Sequence, residues 1–179
     1  MGAIFVAGVY GIGKSTLCQQ LSKETNIPFF SAGDLISKVN GEQYGANKAV
    51  SDKNGNQDIL ANEVQKLVMA HKEIILAGHC CIFTKTDEID CLPKDIFHRL
   101  SITQMLLLES QTEIILEHLR VRDKRQYTFL QLSQLQHAEH EAAVAIASEL
   151  ICPIYTHTMS FDETDKKCCL YMLKMGVEL

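Results

Sequence analysis

The sequence predicts an α/β fold, a five-stranded parallel sheet with helices on both faces, and three observations carry that prediction. A glycine-rich turn, Gly8-Val9-Tyr10-Gly11-Ile12-Gly13-Lys14-Ser15, stands between an apolar run, Ala3 to Ala7, and a helix-like stretch. Five short apolar runs alternate along the chain with segments at helical spacing, the order that covers a parallel sheet on both sides. With 179 residues, 46% of them apolar and 22% charged, the chain suits a single soluble domain, 1–179. In such a fold ligands are expected at the carboxyl ends of the strands.

After the turn, Leu17, Leu21 and Thr25 share one helical face with Gln19, Gln20 and Lys23 opposite, and Asn26 and Pro28 end the helix. Pro28 to Ser31 is a second strand that delivers Ser31-Ala32-Gly33-Asp34 to the sheet edge, where Asp34 is expected to cap a helix running to Val39. Asn40 to Asn56 is polar and punctuated by Gly41, Gly45 and Gly55, so it reads as a mobile flap or small insertion. Helical spacing returns from Ile59 to His71, before a buried strand, Ile74 to Gly78, that ends in His79. Thr84 to Pro93 is charged and reads as a surface loop, followed by a short helix over Lys94 to Arg99. Ile102 to Leu108 is a fourth strand, and Ser110-Gln111-Thr112-Glu113 has capping-box spacing at the start of a helix. A break at Tyr127 precedes a long amphipathic helix, Leu132 to Leu150, with Leu135, Ala138, Ala142 and Ile146 inward. Pro153 to Met159 is the last strand and Glu163 to Met175 the closing helix.

Charge and cysteine usage exclude several classes. A net charge of -5 argues against a broad nucleic-acid surface, whose phosphates require a dense basic face. The seven cysteines include no C-x-x-C pair, which suits reduced thiols and a cytoplasmic protein. No apolar run is long enough to span a bilayer, so no membrane association is expected.

The chemistry concentrates in the turn. It satisfies the G-x-x-x-x-G-K-[ST] pattern of a phosphate-binding loop. Gly8, Gly11 and Gly13 let successive amides point inward at a polyphosphate, and the helix start at Lys14 adds the positive end of its dipole. In this pattern Lys14 reaches the β- and γ-phosphates, the Ser15 hydroxyl ligates magnesium and Thr16 lies by the α-phosphate. Three of the four arginines, Arg120, Arg122 and Arg125, fall together at a helix end. Guanidinium groups match phosphate oxygens, so the cluster reads either as a lid that neutralises a transferring phosphoryl group or as a solvated helix end. His79 reads either as a phosphate or water contact or as a histidine satisfied by backbone. Cys80 and Cys81 read as small core residues, and His137 and His140 as solvent-facing.

In this order of parts the chain resembles the nucleoside monophosphate kinases, and among them the short-lid, archaeal-type adenylate kinases. Gly8 to Thr16 matches the family's triphosphate site, Ser31-Ala32-Gly33-Asp34-Leu35 the strand end that opens its monophosphate site, and Arg120 to Tyr127 its short lid. The resemblance implies a three-layer P-loop NTPase fold with a monophosphate-binding flap over about residues 34–72 and a lid over about residues 119–128. It implies ATP and Mg2+ as cofactors and small-molecule nucleotides as partners, with AMP as the leading acceptor. Ser31, Gly33, Asp34, Lys38 and His79 are then the acceptor-site residues. Two positions depart from the family: Ala77 replaces an aspartate that holds magnesium through water, and Ser37 replaces an arginine on the monophosphate. Lys38 is the candidate substitute for the latter. Two other readings stay open. A kinase acting on a hydroxyl needs a carboxylate base, for which Asp34 is the nearby candidate, and an ATP-binding regulator or slow ATPase would work through a protein partner.

Overall fold

A computed structural model describes residues 1–40, 53–84, 86–123 and 126–175. In chain order its elements are β1 (Gly2–Ala7), α1 (Lys14–Thr25), β2 (Phe29–Ser31), α2 (Ala32–Asn40), α3 (Lys53–His71), β3 (Glu73–Ala77), β4 (Cys81–Phe83), β5 (Ile89–Cys91), α4 (Lys94–Arg99), β6 (Ile102–Glu109), α5 (Thr112–Arg122), α6 (Phe129–Leu150), β7 (Ile154–Thr158) and α7 (Glu163–Met175). The main sheet has five parallel strands in the order β2-β3-β1-β6-β7, the number and sense expected. Every residue of β1 is buried, as an unbroken apolar run at the sheet centre requires. α1 and α7 cover one face, while α3, α4 and α6 form a contiguous layer over the other. β1 passes the chain to β2 on one side and, later, strands return on the other through β6. The reversal opens a crevice at the carboxyl end of β1, where the glycine-rich turn emerges.

Local chemistry explains most boundaries. α1 buries Leu17, Cys18 and Leu21 and stops where Asn26 takes a left-handed conformation (φ 57°), with Pro28 close behind. α2 starts at Ala32, two residues before the expected cap. Asp34 therefore lies in the first helical turn, and Ser31 stands before the helix with its Oγ accepting the Asp34 amide at 3.5 Å. The expected capping box at Ser110–Glu113 is also displaced. α5 begins after Gln111 without a side-chain cap, whereas a reciprocal box forms between Thr128 and Gln131 at the head of α6. That box starts α6 three residues earlier than its apolar spacing suggested.

The largest departure lies between His79 and Pro93. Part of the expected surface loop is an antiparallel hairpin, β4 against β5, with Cys81 directly opposite Cys91 and a disulfide between them. Thr84 closes the turn by accepting the amides of Thr86 and Glu88 on its hydroxyl. Three-residue strands carry too little alternation to be read from sequence. The reduced-thiol expectation is corrected at this pair; Cys18, Cys80, Cys152, Cys168 and Cys169 are free thiols. No helix among the described residues is long and apolar enough to cross a membrane.

Candidate active site

The turn after β1 is built as its sequence demands. Gly8 has φ 147°, and a Cβ there would stand 2.9 Å from the Leu108 carbonyl oxygen, so no larger residue fits. Gly13, at φ 89°, precedes α1, and no side chain caps that helix. The first turn of α1 thus presents its amide face at the positive end of the helix dipole. Lys14 Nζ donates to the carbonyls of Gly8 (2.6 Å) and Val9 (2.9 Å), which holds its ammonium across the loop.

A cavity of about 550 Å³ opens beside this loop. Gly11, Gly13, Lys14, Ser15 and Thr16 form one wall, and Ser31, Gly33 and Asp34 from the end of β2 and the start of α2 form another. Ala77, Gly78 and His79 bring the end of β3 to the same space. Gly78 is required there, because a Cβ would come 2.7 Å from the Phe5 ring, which packs edge-on against Phe97 at 5.6 Å and floors the cavity. A run of rings lies alongside: Tyr127 stacks on Phe83 (6.0 Å), Phe83 on Tyr10 (6.3 Å), and Tyr10 leans on His79 (4.4 Å). Among the described residues Asp34 is the only carboxylate on the cavity wall, and Lys14 and Arg122 are its only permanent cations.

The arginines separate. Arg122 reaches the wall while its guanidinium grips Asp123 through two bonds of 2.6 and 2.8 Å, a pairing that raises its pKa further. Arg120 is exposed and off the wall, and Arg125 lies outside the described residues. Lys38 is likewise exposed and off the wall. Ser37 Oγ donates to the Gly33 carbonyl, which stiffens the α2 start. Residues 41–52 of the expected flap lie outside the described residues.

Behind the loop sits a group that the motif does not include. Glu139, 1% exposed on α6, accepts the Gly8 amide at 2.9 Å, the Cys80 amide at 2.9 Å and the Cys81 amide at 2.7 Å. One carboxylate thereby ties the start of the loop to the chain leaving β3. Burial pushes its pKa up, and the Cys80 amide, Lys14 and the other amides offset part of that rise.

This geometry, a strand, a glycine-rich anion loop and a helix at the crevice of a parallel sheet, agrees with the comparisons. A family model described as an AAA domain matches residues 7–136. The chain belongs to that family. Comparison with curated protein sequences finds no match. Among solved structures, this AAA domain is similar to shikimate kinase from Bacteroides thetaiotaomicron, with 16% identity, a TM-score of 0.64 and coverage of 99% of each chain. It is similar to shikimate kinase from Acinetobacter baumannii in complex with shikimate, with 14% identity, a TM-score of 0.63 and coverage of 99% of this chain and 93% of that one. A gluconokinase from Sinorhizobium meliloti shares 13% identity at a TM-score of 0.58, covering 98% and 95%. The fold is that of the P-loop kinases, and these likenesses do not single out the adenylate kinases.

The AAA domain thus gathers Gly11, Gly13, Lys14, Ser15, Thr16, Ser31, Gly33, Asp34, His79 and Arg122 around one cavity, with Gly8 directly behind them. Glu139 is the residue that sequence reading passed over. Its signal was available: Leu132, Leu135, Glu139, Ala143, Ile146 and Ala147 are the buried positions of α6, at helical spacing, so Glu139 occupies an apolar face. The inward face runs through Glu139 and Ala143 in place of the expected Ala138 and Ala142, both of which are only partly buried. His137 is exposed, and His140 keeps its side chain about 40% exposed while its Nδ1 lies 2.7 Å from the Glu109 carboxylate.

Proposed function

We propose that this protein is an ATP-dependent kinase that transfers the γ-phosphoryl group to a hydroxyl of a small molecule. The observation that carries the reading is Asp34, the only carboxylate among the described residues on the wall of the cavity that the phosphate loop faces. A hydroxyl is a poor nucleophile until its proton is taken up in the transition state, and a positioned carboxylate does that. The structural relatives named for shikimate and gluconate kinases support a hydroxyl acceptor. A nucleoside monophosphate, AMP first, is the second reading, favoured by Arg122 on the wall. Its expected phosphate anchor, Lys38, lies off the wall, and a second anion would face Asp34.

In this reading the amides of the loop and of the start of α1 hold the triphosphate, and Lys14 swings its ammonium from the loop carbonyls to the β- and γ-oxygens. Arg122 neutralises the charge spread over the moving phosphoryl group. Asp34 orients the acceptor hydroxyl and receives its proton as the new O–P bond forms and the bond to the ADP oxygen breaks. A hard cation such as Mg2+ suits the exposed Ser15 hydroxyl at the loop's end, and when bound it supplies charge neutralisation on the phosphates. Ala77 leaves the β3 side of that position without a carboxylate. His79, against Tyr10, shapes the wall between loop and acceptor.

Transfer from ATP, with ADP release and product mass both followed, tests this against a panel of alcohols and nucleoside monophosphates. Lys14→Ala is expected to lower kcat/KM by about 10²-fold or more, the scale of losing one electrostatic contact to a transition state. Asp34→Asn is expected to lower kcat by about 10²–10⁴-fold with ATP affinity kept, since general-base assistance is of that size. Full turnover by Asp34→Asn on a hydroxyl acceptor removes the base. Phosphate release with no acceptor product favours the regulator or slow ATPase with a protein partner.

A further inference from the structure

The walls of the cavity away from the loop carry a second message, which rests on the kinase reading above. The surfaces there are largely aliphatic and aromatic, with Phe5, Ile36, Leu60, Ile82, Ile96 and Phe97, and Ser31, Asn56, Gln57 and His79 add polar side chains among them. The apolar ones come from five elements, β1, α2, α3, β4 and α4, so the apolar lining is a property of the assembled pocket and not of one helix face. Lys14 and Arg122, the only permanent cations on the walls among the described residues, belong to the loop and to the end of α5, where the triphosphate is expected. Among the described residues the one charge on the acceptor side is negative, Asp34. An anionic acceptor would face that carboxylate and lose hydration without an opposite charge among the described residues on its own side of the cavity. A polyol with hydroxyls on every carbon would lose its water against the apolar side chains. One polar group is poised for a second contact: Gln57 Nε2, on the wall beside Asn56, is buried and has no hydrogen-bond partner among the described residues. A donor in that position asks for an acceptor oxygen.

We propose that the phosphoryl acceptor is an uncharged alcohol with an apolar body, carrying the reacting hydroxyl toward Asp34 and a second oxygen toward Gln57. The alcohol oxygen attacks the γ-phosphorus of ATP, its proton passes to Asp34, and ADP leaves with the electron pair of the broken P–O bond. Apolar contact with Phe5, Ile36 and Leu60 supplies affinity, and the two polar contacts supply orientation.

The test uses a matched series with the whole protein and Mg-ADP or Mg-ATP. The compounds are 1-phenylethane-1,2-diol, its carboxylate counterpart mandelate, gluconate, shikimate and AMP. Binding to the Mg-ADP complex is read by ligand-observed NMR, and transfer from Mg-ATP by mass spectrometry. The diol is expected to bind at least tenfold more tightly than each of the four anions and to be the compound phosphorylated. Ile36→Arg, on a partly buried position of α2, is expected to weaken the diol tenfold and to narrow its margin over mandelate in a protein whose melting temperature shows it folded. Gln57→Leu is expected to weaken the diol while leaving 2-phenylethanol unaffected. Equal or tighter binding of mandelate, gluconate, shikimate or AMP overturns the acceptor class, and their phosphorylation would leave the kinase reading intact. Absence of diol binding also overturns it. Preferential diol binding with no transfer to any compound upholds the uncharged apolar site and overturns the kinase reading instead.

Discussion

Glu139 is the residue whose replacement separates the loop's shape from its chemistry. A carboxylate is all acceptor, and here two oxygens receive the amides of Gly8, Cys80 and Cys81. Glu139→Gln substitutes a donor for one of those oxygens and leaves an amide facing an amide. The expected cost is about 1–3 kcal/mol, the scale of a buried polar group left unsatisfied. For a chain of this size that lowers the melting temperature by about 2–4 °C per kcal/mol, measurable by calorimetry. Because Gly8 opens the loop, KM for ATP is expected to rise as well. An unchanged melting temperature and KM would show that the amides find other partners.

At the scale of an element, the β4–β5 hairpin is a small structure with a large influence on the cavity. Ile82 of β4 and Leu92, just after β5, both reach the wall, and Phe83 joins the ring stack to Tyr10. A free two-stranded hairpin is marginal in water. This one is fastened by the Cys81–Cys91 disulfide at its open end and by the Glu139 contact with Cys81. Closing a loop of 10 residues contributes up to about 3 kcal/mol by constraining the unfolded chain. Cys91→Ser is expected to lower stability by that order in urea unfolding without reductant, and the difference is expected to shrink when both proteins are unfolded in excess dithiothreitol. Alkylation of all seven cysteines in the unfolded, unreduced wild type would show that the pair is not bonded.

At the scale of the whole molecule, the sheet edge is locked by a buried pair on β7 and α7. Asp165 accepts from His157 Nε2 at 2.8 Å and from the amides of Ser160, Phe161 and Asp162. Burial alone would raise its pKa, but the Ser160 amide, His157 and the Phe161 amide outweigh it and hold the group below its usual 3.8. A depressed folded value means stability that is fully present above pH 3.8 and lost as pH falls through the lower folded value. Glu139 works in the opposite sense: its folded value is raised above 4.5, so its contribution declines as pH rises through that value. The gap in melting temperature between wild type and Asp165→Asn is therefore expected to be full at neutral pH and to close below pH 3.8. A gap that persists unchanged to pH 2.5 would assign Asp165 a purely packing role.

The same three scales divide what was legible. The fold class and the phosphate loop are local properties: apolar runs report burial, and Gly8, Gly13 and Lys14 report backbone freedom and charge within eight residues. Ser31, Gly33, Asp34 and His79 were legible as strand ends, since in a parallel sheet all strand ends meet on one side. The hairpin was not, because strands of three residues give no period. Nor was the division of labour among the arginines, because sequence places Arg120 and Arg122 together while the helix turns only Arg122 to the cavity. By itself, then, the sequence determined a parallel α/β sheet with an anion loop at its centre, from signals carried by neighbours along the chain. Only the tertiary structure decided that Glu139 clamps that loop, that Cys81 meets Cys91, and that Asp34 is the one carboxylate among the described residues on the wall of the cavity. Each of those depends on residues from different elements, whose distances in space no local spacing encodes.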